Sequence, residues 1–170
     1  EQLRQTDAET LTDLERAARF LYLQKLAYGG KVAGRTFGVD PSRPGRFNLN
    51  TLGPRLEELH ERLAGVVIEC LDFEAFLIRY DRPGTLFYLD PPYWGSEGYY
   101  GKELFSRADF ERLSACLQRL SGRFILSIND TPQVREIFDW AEMEPVSTTY
   151  TVGGKGRSKP VGELIITSGN

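Results

Sequence analysis

The segment Asp90-Pro91-Pro92-Tyr93 constrains this chain more than any other. It follows Thr85-Leu86-Phe87-Tyr88-Leu89, a β-branched and aromatic run that reads as a strand. Two adjacent prolines remove two backbone donors and set two φ angles. Each also pushes the residue before it toward extended conformations. The strand therefore ends in a rigid corner that carries a carboxylate, free carbonyls and an aromatic face. Open α/β sheets place their ligand sites at this end of their strands. The corner can hold an amino group; the plain alternative is a stiff loop with a packing tyrosine.

The rest of the chain alternates in a way that suits such a sheet. Residues 9–28 have a helical period in Leu11, Leu14, Ala18 and Leu21, closed by Gly29-Gly30. Residues 29–51 are rich in glycine and basic side chains and predict a loop longer than a connection needs. A second helix is expected from Thr51, with Leu56, Leu59 and Leu63 on one face. Val66–Cys70 reads as a short strand, and Asp72 as the cap of a helix through Tyr80. After the corner, Ser106 caps a helix to about Leu120, Phe124–Ile128 is a strand, and Thr131-Pro132 opens a helix to Trp140. Residues 143–152 and 161–167 predict a terminal hairpin. The pattern is α/β, a parallel sheet with an antiparallel edge.

Charge is uneven. The net charge is −3, yet Arg16 to Arg46 hold seven basic residues and one acid. A local basic patch suits phosphate even in an acidic chain. The two cysteines, Cys70 and Cys116, lie in apolar patterns and predict a buried, reduced pair. With one histidine, His60, in a charged helical stretch, no metal site is expected. No apolar run of membrane-spanning length occurs in the sequence.

An exocyclic amine on an aromatic base is a chemistry that fits the corner. Its lone pair is delocalised into the ring, so it is a poor nucleophile. Acceptors on both amino hydrogens favour a pyramidal nitrogen and free the lone pair. Asp90 and the Pro91 carbonyl can supply them, and Tyr93 can stack on the base. Inside a duplex such an amine is unreachable, so the base must be flipped out.

With these residues the chain resembles the Dam-type (D12 class) DNA adenine methyltransferases, including phage and prophage members. Arg19-Phe20-Leu21-Tyr22-Leu23 and Tyr28-Gly29-Gly30 are similar to the helix and turn opening that family's target-recognition region. Gly45-Arg46-Phe47-Asn48 resembles its Gly-x-Phe-Asn element, and Asp72-Phe73 its contact to the cofactor's adenine. Asp90-Pro91-Pro92-Tyr93 resembles the catalytic motif, Ser127–Thr131 the supporting strand end, and Glu163–Thr167 the last strand.

The resemblance implies a partial Rossmann-like methyltransferase sheet, with an inserted helical and loop DNA target-recognition region and an antiparallel carboxyl-terminal hairpin. Residues 1–63 would be the recognition region and 64–170 the carboxyl-terminal part of the catalytic domain. It implies S-adenosylmethionine as cofactor, near Asp72, Phe73 and Asp90, and catalysis by Asp90, Pro91, Pro92 and Tyr93. Double-stranded DNA would meet Tyr28, Lys31, Arg35, Arg46 and Asn48, with Lys155 and Arg157 as a second phosphate contact or a solvated hairpin tip. A monomer in the cytoplasm of a bacterial or phage-infected cell is expected.

The family's glycine-rich Phe-x-Gly-x-Gly-like turn and acidic ribose contact do not occur in the sequence. The chain therefore reads as the carboxyl-terminal portion of such an enzyme. Two alternatives stay open: a non-catalytic DNA-binding fragment, and an amino-methyltransferase acting on an RNA base, a cytosine amine or a protein glutamine.

Overall fold

The computed structural model describes residues 2–27, 47–97, 105–149 and 160–169. The chain divides into two compact units, Glu1–Ile68 and Glu69–Asn170.

In the first unit, helix α1 (Gln2–Gln5) and a 3-10 turn (Ala8–Thr10) precede α2 (Asp13–Leu26) and α3 (Leu49–Leu63). The apolar period predicts α2 from residue 9, but a capping box starts it later. The Thr12 hydroxyl accepts from the Glu15 N–H at 3.4 Å, and the Glu15 carboxylate accepts from the Thr12 N–H at 2.9 Å. Likewise α3 starts before the expected Thr51, because Asn48 is its cap. The expected apolar faces are exposed: Leu14 is 84% exposed, Leu23 is the buried residue of α2, and α3 buries none. A unit this small can bury only a modest share of its apolar surface.

Val66–Cys70 is not the expected strand. Val67 and Ile68 are 74% and 78% exposed, and no described strand pairs with the segment. A β-branched run becomes a strand only where a neighbour takes its backbone hydrogen bonds. The cysteine expectation is half corrected: both thiols are free, Cys116 is buried, and Cys70 is exposed.

The second unit runs α4 (Phe73–Tyr80), β1 (Leu86–Leu89), α5 (Arg107–Leu117), β2 (Arg123–Asn129), α6 (Pro132–Ile137), β3 (Glu142–Thr149) and β4 (Pro160–Thr167). Its strands form one sheet in the order β1-β2-β4-β3. The β1–β2 pair is parallel; β4 is antiparallel to both β2 and β3. This is the mixed α/β sheet with an antiparallel carboxyl-terminal hairpin that the sequence predicts. Pro145 is tolerated because β3 is an edge. Helices α5 and α6 end sooner than expected, at Leu117 and Ile137.

Registers and burial agree on the covered face. Phe87, Phe124, Leu126, Ile128, Leu164 and Ile166 face one side, alternating with exposed or half-buried positions except at the buried Ser127, and pack with Leu77 of α4, Phe110, Leu113 and Leu117 of α5, and Val134 of α6. The opposite face is open at β1, where Tyr88 is 69% exposed.

The start of β2 is locked to the start of β1. Gly122 sits where a Cβ would lie 2.7 Å from the Thr85 carbonyl oxygen, so only glycine permits the approach. The Arg123 N–H then donates to Thr85 O at 2.8 Å. Asp81 accepts from the Ser121 N–H at 3.0 and 2.9 Å and from the Gly122 N–H at 2.8 Å. Those backbone donors, Ser121 first and then Gly122, hold the Asp81 carboxyl below the usual carboxylate range. A depressed folded-state pKa contributes stability that is full above the unfolded value of ~3.9 and is lost as pH falls through the folded one. Asp81→Ala is therefore expected to unfold at lower urea than the parent at pH 7. The gap between the two midpoints should narrow as the solution is acidified below about pH 4; an unchanged gap would refute this role.

Candidate active site

The parallel pairing sets Leu89 beside Leu126, and the antiparallel pairing sets Asn129 opposite Glu163. Asp90, Asn129 and Glu163 thus meet at one end of the sheet from three different strands. This is the carboxyl end of β1 and β2, where the prolines interrupt the ladder.

The corner is suspended from its neighbours rather than free. Asn129 grips the backbone after Tyr93 at two points. Its Oδ1 accepts from the Trp94 N–H at 2.8 Å, and its Nδ2 donates to the Trp94 carbonyl at 3.1 Å. The Tyr93 hydroxyl donates to the Glu163 carboxylate. The chain then turns over residues 93–96, where Ser96 N–H donates to Tyr93 O at 2.8 Å and Gly95 takes φ +87°. That positive φ in the third position is the type II requirement for glycine. Below the corner, the Ser127 hydroxyl lies 3.5 Å from Asp90 Oδ1 and 3.3 Å from the Tyr88 hydroxyl. Asp90 itself is exposed and has no strong partner among these contacts.

A cavity of about 250 Å³ opens beside the corner, lined by Phe73, Phe76, Phe87, Phe105, Asp90 and Pro91 among others. The fold thereby brings Phe73 and the Asp90-Pro91-Pro92 corner to one cavity. Asp72 takes the expected cap position of α4, accepting from Glu74 N–H at 3.0 Å. Arg112 grips the same carboxylate at 3.1 and 2.9 Å. The Arg112 hydrogen bonds, ahead of the capping N–H, hold the Asp72 carboxyl below its usual range.

Other site expectations fall differently. Asn48 caps α3, with Oδ1 accepting from Asn50 N–H at 2.9 Å. Tyr28, Lys31, Arg35, Arg46, Lys155 and Arg157 lie outside the described residues. Trp94 packs against the core: its ring lies 5.1 Å from Phe110, and the Arg107 guanidinium lies 5.4 Å above it. Trp140 is 37% exposed, with its Nε1 donating to Ser114 Oγ at 2.8 Å.

Thr131 caps α6, and the Asn129 amide at the strand end before it belongs to the corner. The sequence pattern gives no role to Arg112 or to the Glu163 side chain. Each acts on a residue 40 or 70 positions away, which no local pattern encodes.

The sequence model for the D12 class of N6 adenine-specific DNA methyltransferases matches residues 2–152. Among curated relatives, the type II methyltransferase M1.LlaDCHI of Lactococcus lactis subsp. cremoris is 25% identical over 173 residues, covering 94% of this chain and 61% of its own length. The Retron Ec67 DNA adenine methylase of Escherichia coli is 26% identical over 171 residues, covering 94% and 57%. The type II methyltransferase M.CviBI of Paramecium bursaria Chlorella virus NC1A is 26% identical over 124 residues, covering 72% and 48%. The chain spans about half the length of the curated relatives it matches.

Proposed function

The chain belongs to the D12 class N6 adenine-specific DNA methyltransferase family, and on that premise we propose that it carries the target-base half of such an enzyme's active site. The reaction is methyl transfer from S-adenosylmethionine to the exocyclic amine of an adenine flipped out of duplex DNA. The observation that carries this reading is the corner: an exposed Asp90 carboxylate and a donor-free Pro91-Pro92 turn, with Tyr93 tethered by Glu163.

Asp90 accepts one amino hydrogen and the Pro91 carbonyl the other, holding the nitrogen pyramidal with its lone pair free. Tyr93 stacks on the base, worth roughly 1–3 kcal/mol. Fixing the amine in one place supplies much of the rate through approximation alone. The proton leaves the nitrogen after the new N–C bond forms, so no strong base is needed first.

The cofactor's fit rests on the cavity. Its aromatic walls, Phe73 and Phe105, and its Asp90 rim suit a flat base bearing an amine. At about 250 Å³ it is smaller than the roughly 300–1,000 Å³ of most ligand pockets. It suits the adenine portion of S-adenosylmethionine, with Phe73 against the ring and Asp90 near the donor's amino group. When bound, that cofactor supplies the methyl group on a positively charged sulfur.

For DNA, the proposed contacts are Tyr28, Lys31, Arg35, Arg46 and Asn48, with Lys155 and Arg157 on phosphates. Residues 1–63 then form the recognition region and 64–170 the catalytic part, acting as a monomer in a bacterial or phage-infected cytoplasm. The test is tritiated methyl transfer to unmethylated duplex DNA, together with DNA binding across a salt series. Transfer supports the reading. Salt-sensitive binding without transfer supports the alternative, a DNA-binding portion that does not catalyse. Methylation of RNA or of a glutamine peptide, with DNA untouched, would replace adenine as the target.

Tyr93→Phe keeps the stacking ring and loses the tie to Glu163. With one hydrogen bond worth ~1 kcal/mol net, kcat/KM is expected to fall about fivefold. Steady-state kinetics check this, and an unchanged value would leave Glu163 without influence on the corner.

A further inference from the structure

We propose that Arg112 is a positioning residue for the cofactor's adenine: by holding Asp72 and Phe73 together it sets the wall of the cavity beside Asp90. This rests on the reading of that cavity as the S-adenosylmethionine site.

Phe73 is the first residue of α4 and lines the cavity. It is only half buried, and Leu77 is the buried anchor of the helix a turn further on. Asp72 caps the first turn of α4 through the Glu74 N–H at 3.0 Å, so what fixes the Asp72 carboxylate also fixes the start of the helix that carries Phe73.

Arg112, from the middle of α5, fixes that carboxylate. Its Nη1 and Nη2 donate to the two oxygens of Asp72 at 3.1 and 2.9 Å, a two-pronged fork on the carboxylate. Its guanidinium carbon lies 4.2 Å from the centroid of the Phe73 ring, in cation–π range. The same group reaches Glu74 at 3.3 Å and Asp109 at 3.1 Å. Asp109 is in turn bonded to the Ser106 N–H at 2.7 Å and completes the capping box of α5. One planar cation therefore ties the first turns of α4 and α5 together and seats Phe73 between them.

Both Asp72 oxygens are engaged in this clamp. Asp72 thus acts as the support under Phe73, and the cofactor's base meets the ring. A lysine, a point charge on a flexible stem, cannot span the fork and cover the ring at once.

The test is S-adenosylmethionine binding to the full chain, by equilibrium dialysis, for the parent, Arg112→Ala, Arg112→Lys, Asp72→Asn and Arg79→Ala. Arg79 pairs with Glu69 at 2.8 Å from the far end of the same helix and controls for general loosening of α4. Arg112→Ala is expected to raise the Kd about tenfold or more. Arg112→Lys should fail to restore it. Asp72→Asn keeps a capping acceptor, so it folds, and should also weaken binding. Arg79→Ala should bind like the parent. In methyl transfer, the KM for S-adenosylmethionine should rise with little change in the KM for DNA, a split that global destabilisation would not produce.

Parent-like affinity in Arg112→Ala, or in Asp72→Asn should the alanine variant not fold, overturns the proposal and leaves the cavity assignment standing. Full rescue by lysine overturns the fork. No binding by the parent overturns the cavity assignment and the proposal with it.

Discussion

Asp90→Ala is expected to lower the methyl-transfer rate by at least ~10²–10³-fold, the cost of removing one preorganised partner of the developing charge. The protein should stay folded. Asp90 is exposed, and among the described residues its side chain meets the Ser127 hydroxyl only at 3.5 Å, so little packing is lost. Surface changes of this kind usually stay within about 0.5 kcal/mol. DNA binding across the salt series should be unchanged, because phosphate contacts dominate it. Asp90→Asn sharpens the result: the amide keeps one acceptor and the shape of the side chain, so its rate should fall between parent and alanine. Single-turnover transfer and a urea midpoint on each variant decide the matter. A parent-like rate in Asp90→Ala would remove Asp90 from the chemistry.

Phe110→Ala is expected to destabilise the protein by about 3–5 kcal/mol, the range for truncating a core phenylalanine. Phe110 is fully buried, meets Phe105 edge-on at 4.9 Å and Trp94 at 5.1 Å, and stands beneath the turn that follows Tyr93. Against a typical total of about 5–15 kcal/mol, that loss is a large fraction of stability. Its second effect is local. Trp94 is the backbone anchor for Asn129, so a cavity under its ring should loosen the corner. Transfer should fall even at temperatures where the variant remains folded. Urea unfolding gives the first number, and transfer well below the melting point gives the second. A destabilised variant with parent-like transfer would show that the Asn129 grip suffices without the ring beneath it.

Much of the second unit was legible in the sequence. The strands β1, β2 and β4 lie within a residue or two of their expected bounds, because β-branched and apolar runs are bounded there by Gly, Pro and capping residues. The caps Asp72, Ser106 and Thr131 stand where they were expected. Capping is a local transaction between a side chain and an N–H two or three residues on, so sequence encodes it directly.

The misreadings share one physical cause. Val66–Cys70 has the composition of a strand, and Leu14, Leu56, Leu59 and Leu63 have the spacing of buried helix faces. Such patterns state what a segment is able to bury. Whether it does so depends on a neighbour that local pattern cannot name.

The active corner divides along the same line. The sequence by itself determined that a carboxylate, two donor-free residues and an aromatic would close a strand, because proline stereochemistry acts within two residues. Only the tertiary structure decided what holds them there. Asn129 and Glu163 reach the corner because β2 lies parallel to β1 and β4 antiparallel to β2. Arg112 pairs locally with Asp109, as any helix-surface arginine would, and reaches Asp72 only because α5 folds against α4. Backbone preferences travel a few residues along the chain; the contacts that aim Tyr93 and Phe73 join residues brought together through the sheet and its helices.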